Sequence, residues 1–80
     1  MDREDIADIL DEIALLLELK GENVFKTRAY KNAAEIVRSV DADIVALAKE
    51  DKLDGIAGIG KALQQKIHEI AITNKLEFHQ

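Results

Sequence analysis

Apolar residues recur every three or four positions in four stretches of the chain, which is the spacing of an amphipathic α-helix. We expect the first helix to begin at Asp2 or Asp5, whose carboxylates suit an N-cap, and to end at Lys20-Gly21. The second helix is expected to begin directly after Asn23, which serves as its N-cap. The predicted core stripe of the first helix is Ile6, Ile9, Leu10, Ile13, Leu16 and Leu17, and that of the second is Phe25, Ala29, Ala33, Ile36, Val37 and Val40. The small residues Ala29, Ala33 and Ala34 would let another helix approach closely.

The second half of the chain predicts two more helices. Asp41 or Asp43 caps a short third helix that ends near Asp51, and the fourth runs from just after Gly60 to about Thr73-Asn74. Leu76 and Phe78 beyond it read as the start of a further element. No alternating strand pattern is present, and the absence of proline with only 4% aromatic residues favours helices over a barrel or sandwich. We predict a single all-α domain over residues 1–80, a compact four-helix unit with short connections.

Composition excludes several classes of function. The chain has no cysteine, so it has no disulfide, no thiol nucleophile and no cysteine-based metal site, and His68 and His79 are too few for a histidine-only metal site. The amino terminus is acidic where a signal peptide would be basic, and no apolar run approaches about 18 residues. We therefore expect a cytoplasmic protein that does not interact with membranes. We also expect a monomer.

Charge is distributed unevenly, which matters more for partners than the total of −5. Residues 1–22 hold eight acidic residues against two basic ones. Residues 23–40 hold four basic residues against one acidic residue. A basic segment therefore follows an acidic one, and a nucleic-acid partner remains compatible with the negative total.

Three of the four glycines fall in six residues between the third and fourth helices: Gly55-Ile56-Ala57-Gly58-Ile59-Gly60. Because the fourth helix begins at once, the amides of Ile59, Gly60, Lys61 and Ala62 would point outward, unpaired by the helix. These amides, the helix dipole and the charge of Lys61 predict a site for an anion, most naturally a phosphate. The alternative is a tight corner between two helices in which the glycines serve geometry alone.

Residues 56–67 resemble a helix-hairpin-helix motif, carried by Ile56-Ala57-Gly58-Ile59-Gly60, Lys61-Ala62-Leu63 and Lys66-Ile67, with Ala57 where proline is frequent. The resemblance extends from about Ile6 to Leu76 through Gly21-Glu22-Asn23-Val24-Phe25-Lys26-Thr27-Arg28-Ala29-Tyr30. The whole is similar to the amino-terminal domain of bacterial and archaeal family X DNA polymerases. This implies a fold of the DNA polymerase beta N-terminal type, and a chain in which a polymerase domain follows.

The resemblance implies three sets of site residues. Lys66 matches the lysine that attacks C1′ of a 5′-deoxyribose phosphate to form a Schiff base, a step that needs an unprotonated amine. Lys26 and Tyr30, four apart on one face, match phosphate-binding positions, and Arg28 and Lys31 would widen the basic strip. Phosphate would also contact the hairpin, at Gly58, Ile59, Gly60, Lys61 and Ala62. Backbone carbonyls of Asp54, Ile56 and Ile59 match those that hold a monovalent cation, Na⁺ or K⁺, and no other cofactor is implied.

The sequence departs from the family at three further phosphate-binding lysines, whose positions hold Asp54, Ala62 and Phe78. Each lost phosphate contact lowers affinity for DNA. Residue types alone leave alternatives open. Lys66 is also explained as a solvated lysine on the flank of a helix, and Tyr30 as a tyrosine at the edge of the core beside a solvated Lys26.

Three hypotheses of function follow. The first is non-sequence-specific binding of gapped or nicked DNA at a 5′-phosphate, as the N-terminal domain of a family X polymerase in base excision repair. The second is 5′-deoxyribose-phosphate or abasic-site lyase activity with Lys66 as nucleophile, the most that this domain alone would catalyse. The third is a protein-interaction helical domain that does not bind DNA.

Overall fold

The fold is all-α, as the sequence predicts. A computed structural model describes residues 2–21 and 23–73. Within them lie α1 (Arg3–Leu19), α2 (Val24–Ser39), α3 (Ile44–Lys49) and α4 (Lys61–Thr73), with a single 3₁₀ turn at Leu53–Gly55. None of these helices is both long and apolar enough to cross a membrane. The predicted positions Asn74, Leu76, Phe78 and His79 lie outside the described residues.

The helix ends follow local side-chain chemistry. Asp2 caps α1 by accepting from the amide of Asp5, while the Asp5 carboxylate accepts from the amide of Asp2, so the two form a capping box. Asn23 caps α2, accepting from the amide of Phe25 at 2.8 Å. Asp43, rather than Asp41, caps α3. Gly21 has a φ of +70°, the left-handed conformation that glycine adopts without strain after a helix.

The first two helices pack antiparallel and bury most of their shared surface. The core between them contains Ile6 and Leu10 and several small side chains, namely Ala7, Ala14, Ala33 and Ala34, all at most 1% exposed. Alanine at these positions lets the two backbones approach closely, as the sequence predicts for Ala33 and Ala34. Arg3 closes the far end of the pair by donating to the carbonyls of Val40 at 2.6 Å and Ala42 at 2.7 Å.

The last two helices form a second pair that includes the 3₁₀ turn. Ile44, Leu53, Ile67 and Ile70 are each 1% exposed or less and form its apolar interior. His68 of α4 lies with Nδ1 2.6 Å from the carbonyl oxygen of Ala48 at the end of α3, so this nitrogen carries the proton. Contacts between the two helix pairs are fewer than those within each pair.

Two residues of the predicted core stripes lie on the surface instead. Leu16 is 52% exposed because it lies about 120° around α1 from the fully buried Leu10, although it is only three residues from Ile13. Phe25 is 74% exposed because it stands in the first turn of α2, at the end of the helix pair where the connection from α1 enters. Including them in the core was wrong.

Candidate nucleic-acid interface

The hairpin between α3 and α4 is anchored by its isoleucines and shaped by its glycines. Ile59 is 5% exposed and belongs to the core, and Ile56 is half-buried against it. Gly58 has a φ of +89°. A Cβ at Gly58 would lie 2.6 Å from Cδ1 of Ile36, so the turn rests directly on α2. The alternating pattern of glycine and isoleucine thus describes a fixed turn and not a flexible linker.

The start of α4 differs from those of α1, α2 and α3, which have side-chain caps, because the residue before it is Gly60. The amide of Gln64 donates to the carbonyl of Gly60 at 2.9 Å, so Gly60 is the residue that precedes the first helical turn. The amides of Lys61, Ala62 and Leu63 therefore have no acceptor within the helix. Gly60 has no side chain that could accept from them, and donors at this positive helix end remain available to an external anion.

The side chains around these amides add positive charge. Lys61 is exposed at the first position of α4, and Lys66 is half-buried and one turn beyond Ala62 on the same face. Neither lysine forms an ion pair with another described residue. Asp54, also exposed, places one negative charge in the 3₁₀ turn before the hairpin.

Lys26 and Tyr30 lie one turn apart on α2, as their spacing predicts, but in different environments. Lys26 is exposed, whereas Tyr30 is only 8% exposed. The Tyr30 hydroxyl makes no hydrogen bond to a described residue. No described side-chain polar atom is both buried and unpaired, so this hydroxyl must reach solvent. The structure thus combines a tyrosine at the edge of the core with a hydroxyl free to donate to a ligand.

Phe25 is a candidate site residue that the sequence did not reveal. Its ring is 74% exposed, next to Lys26 in the first turn of α2. The helical periodicity placed it with the core residues. Only its location at the end of the helix pair shows that it is a free aromatic surface.

Two of the four cations in the basic segment at residues 23–40 lie against acids of α1. Lys31 lies 3.9 Å from Glu18, and Arg38 contacts Asp11 at 2.7 Å, Asp8 at 2.8 Å and Glu4 at 3.2 Å. Hydrogen bonds to these carboxylates, first that of Asp11, raise the pKa of Arg38 above its ordinary value. Lys31 and Glu18 are both exposed and their contact is long, so the pair is weak and the role of Lys31 in a basic strip stays a prediction. Lys26 and Arg28 are the exposed cations that remain on α2.

The carbonyls matched to a monovalent cation only partly suit one. The Ile59 carbonyl accepts from Nε2 of Gln64 at 3.0 Å, which occupies one of its two lone pairs. Asp54 and Ile56 lie in the turn that precedes it. Among the residues that the structure describes, no group of three His, Cys, Asp or Glu side chains is arranged to hold a metal ion.

Comparison with known proteins agrees with this geometry. A family model for the helix-hairpin-helix domain matches residues 1–76. The DNA polymerase/3′-5′ exonuclease PolX of Bacillus subtilis is 36% identical over 69 residues, which cover 86% of this chain and 12% of that protein. The chain thus spans about an eighth of its relative's length, and matches its N-terminal region. No solved structure matches. The chain belongs to the helix-hairpin-helix domain family and resembles the N-terminal region of a family X DNA polymerase.

Proposed function

We propose that this domain binds DNA without sequence specificity at gaps and nicks, through a 5′-phosphate, as the N-terminal domain of a family X DNA polymerase in DNA repair. The observation that carries the proposal is the uncapped start of α4, where Gly60 leaves the amides of Lys61 and Ala62 free beside an exposed lysine. Backbone amides at a helix start suit a phosphate oxygen in both charge and direction. They contact no base, so this binding carries no sequence information.

The first turns of α2 support a preference for interrupted DNA. Lys26 offers a charge and Tyr30 a hydroxyl donor to a second phosphate. The exposed ring of Phe25 beside them offers a surface on which an unpaired base can stack. A gap exposes unpaired bases, whereas a continuous duplex keeps its bases stacked, so this combination favours a gap.

The test measures binding by fluorescence anisotropy for wild type, Lys61→Ala and Lys49→Ala. Lys49 is also an exposed lysine, in the last turn of α3, so its loss changes the net charge equally. The DNA ligands are a one-nucleotide gap with a 5′-phosphate, the same gap with a 5′-hydroxyl, and an intact duplex. We expect Lys61→Ala to weaken binding similarly in all sequences and to reduce the salt slope by about one phosphate contact.

Three results would contradict the proposal. A loss in Lys61→Ala that depends on base sequence would show base readout at the hairpin. Equal losses in Lys61→Ala and Lys49→Ala would show that only net charge matters. No measurable binding to any of the DNAs at low salt would leave a protein-interaction domain as the better hypothesis.

A lyase activity is the second candidate, and the position of Lys66 favours it. Lys66 is half-buried on the face of α4 that continues from Ala62. It stands about one helical turn from the proposed phosphate position, and helical side chains point back toward the N-terminus of their helix. In this reaction, Nζ adds to C1′ of the 5′-deoxyribose phosphate and water leaves to form the Schiff base. Loss of a C2′ proton then breaks the C3′–O bond, which releases the DNA 5′-phosphate, and water frees the lysine.

Borohydride trapping separates the lyase from simple binding. The gapped DNA carries a 5′-deoxyribose phosphate, and the proteins are wild type, Lys66→Ala and Lys61→Ala. A covalent adduct that is lost in Lys66→Ala but retained at high protein concentration in Lys61→Ala is the expected result for a lyase. No adduct from wild type that still binds the DNA would leave a binding module alone.

A monovalent cation at the hairpin is a further part of the proposal. K⁺ or Na⁺ held by carbonyls of Asp54, Ile56 and Ile59 would add positive charge beside the phosphate. The second lone pair of the Ile59 carbonyl is the one left for the cation. We expect the replacement of KCl by tetramethylammonium chloride at equal ionic strength to weaken DNA binding, and unchanged affinity would refute the cation site.

A further inference from the structure

The outward surface of the α1–α2 pair carries leucines that the fold leaves uncovered. Leu15 and Leu19 are 52% and 74% exposed and lie four residues apart, so they form one ridge along α1. An open groove runs beside this ridge between the two helices. Its lining residues are Asp11, Leu15, Glu18, Lys31, Glu35 and Arg38. We call this groove and the Leu15–Leu19 ridge together the outer groove.

The outer groove is negatively charged although two cations line it. Lys31 faces Glu18, and the one charge of Arg38 is shared among three carboxylates. Glu35 adds a further carboxylate to the lining, and exposed Glu12 lies one turn before the leucines on α1. The surface therefore combines apolar side chains with an excess of acid around them.

This surface faces away from the proposed DNA site. The hairpin rests on Ile36 through Gly58, whereas Arg38 lines the outer groove. Ile36 and Arg38 are two residues apart, which is about 200° around the helix, so they point in nearly opposite directions. A molecule in the outer groove would leave the hairpin amides accessible.

Charge selects among the possible occupants. DNA and anionic lipid headgroups are repelled by the carboxylates, and a second copy of this chain would bring the same acidic face to the contact. A cationic amphipathic helix matches both the exposed leucines and the excess negative charge of the outer groove. Its apolar side chains cover the leucines, and its lysines or arginines pair with the acids. Antiparallel α1 and α2 offer a groove in which a third helix can lie.

We propose that the outer groove docks a basic amphipathic helix of a protein partner. The leucine ridge supplies the apolar contact, and Glu35, Glu12 and the carboxylates around Arg38 supply the charge pairing. Because this surface and the hairpin lie on different sides of α2, the domain binds this helix and DNA at the same time.

The test uses a fluorescein-labelled 14-residue peptide of leucine and lysine, with its leucines on one helical face. The control peptide has the same composition, with its leucines distributed around the helix. We expect the amphipathic peptide to bind at least about tenfold more tightly, since burying a leucine contributes roughly that factor. In ¹⁵N-labelled protein, we expect amide shifts at Leu15, Leu19 and Glu35, and none at Gly58 or Gly60.

Matched variants then locate the contact. Leu15→Gln with Leu19→Gln should weaken binding of the amphipathic peptide at least about tenfold. Ile72→Gln, which removes a 57% exposed residue of α4, should leave its affinity unchanged. Both replace surface side chains, and far-UV circular dichroism checks that each variant is folded. Lys61→Ala should bind the peptide as wild type does.

Several outcomes would overturn the proposal. Equal affinity for the two peptides would show charge attraction without a groove, and an unaffected double variant would remove the leucine ridge from the contact. Self-association in sedimentation that is lost in the double variant would assign the surface to a second copy. Binding to phosphatidylserine vesicles that is lost in the double variant would assign it to a membrane.

Discussion

Gly58 is the position at which one methyl group should disturb the hairpin most. The substitution Gly58→Ala meets two obstacles. An alanine has to adopt the φ of +89°, and its Cβ would lie 2.6 Å from Cδ1 of Ile36. Gly55 provides the matched control, because its φ is not positive and a Cβ there would meet no atom within 4 Å.

The two obstacles can be given magnitudes. The left-handed conformation costs a non-glycine residue about 1–2 kcal/mol. The clash is with the far end of a flexible side chain, so moving Ile36 off its rotamer costs about 0.5–1.5 kcal/mol. Alanine also lowers the conformational entropy of the unfolded chain, which stabilises the folded state by about 0.4–1 kcal/mol. The net loss is about 0.5–3 kcal/mol, set against the roughly 4–12 kcal/mol expected for a domain of this size.

Urea denaturation followed by circular dichroism at 222 nm measures this loss for Gly58→Ala and Gly55→Ala. Adding Ile36→Val separates the two obstacles, because valine lacks the Cδ1 atom that a Cβ at position 58 would strike. In the double-mutant cycle, we expect Gly58→Ala to cost about 0.5–1.5 kcal/mol less in the valine background. The remaining cost is that of the backbone conformation.

Equal free energies of unfolding for Gly58→Ala and Gly55→Ala would refute the reasoning altogether. A loss in Gly58→Ala that Ile36→Val does not reduce would refute only the steric part. It would show that the hairpin moves away from α2 as a unit, or that the cost comes wholly from the dihedral angle.

Further substitutions test the helix ends and the ion pairs. Arg38→Met should lower the melting temperature, because three carboxylates lose their shared cation. The difference from wild type should become smaller in 1 M NaCl, and Arg28→Met, at an exposed site, is the control. Asp2→Ala should destabilise the domain by about 1 kcal/mol in urea denaturation, whereas Asp41→Ala, which caps no helix, should have little effect. Arg3→Met should cost about 1–3 kcal/mol in the same assay, because the carbonyls at the end of α2 lose their charged donor, and a loss under 0.5 kcal/mol would contradict that role.

The helix boundaries could be predicted from sequence because the signals that set them are local. Asn23 and Gly21 act within a few residues of the helix they limit, and the choice between Asp41 and Asp43 needed only the capping geometry. The surface positions of Leu16 and Phe25 could not be predicted in this way. Periodicity shows that a helix has an apolar side, but only the location of its neighbours shows how wide that side is and where it ends.

In the candidate site too, the features set by neighbouring residues could be predicted from sequence, and those set by distant residues could not. The hairpin was readable because Gly58, Ile59 and Gly60 specify a local turn and the start of α4. The charge pairing of α2 could not be predicted from sequence, because Arg38 donates to Asp11 and Glu4, which are 27 and 34 residues away in the chain. A count of charges in a segment cannot show which of them are already paired. Similarly, the exposed ring of Phe25 and the buried ring of Tyr30 depend on where the helix pair ends.

The contact between Gly58 and Ile36 also bears on how the domain opens. The hairpin belongs to the α3–α4 half of the molecule, yet it rests on α2 of the other half. Halves that share few contacts are candidates for opening as separate cooperative units in native-state hydrogen exchange. A phosphate held at the hairpin would stabilise the contact between Gly58 and Ile36 that joins the two halves. Amides throughout α3 and α4 should then exchange more slowly, although the ligand touches only the first turn of α4.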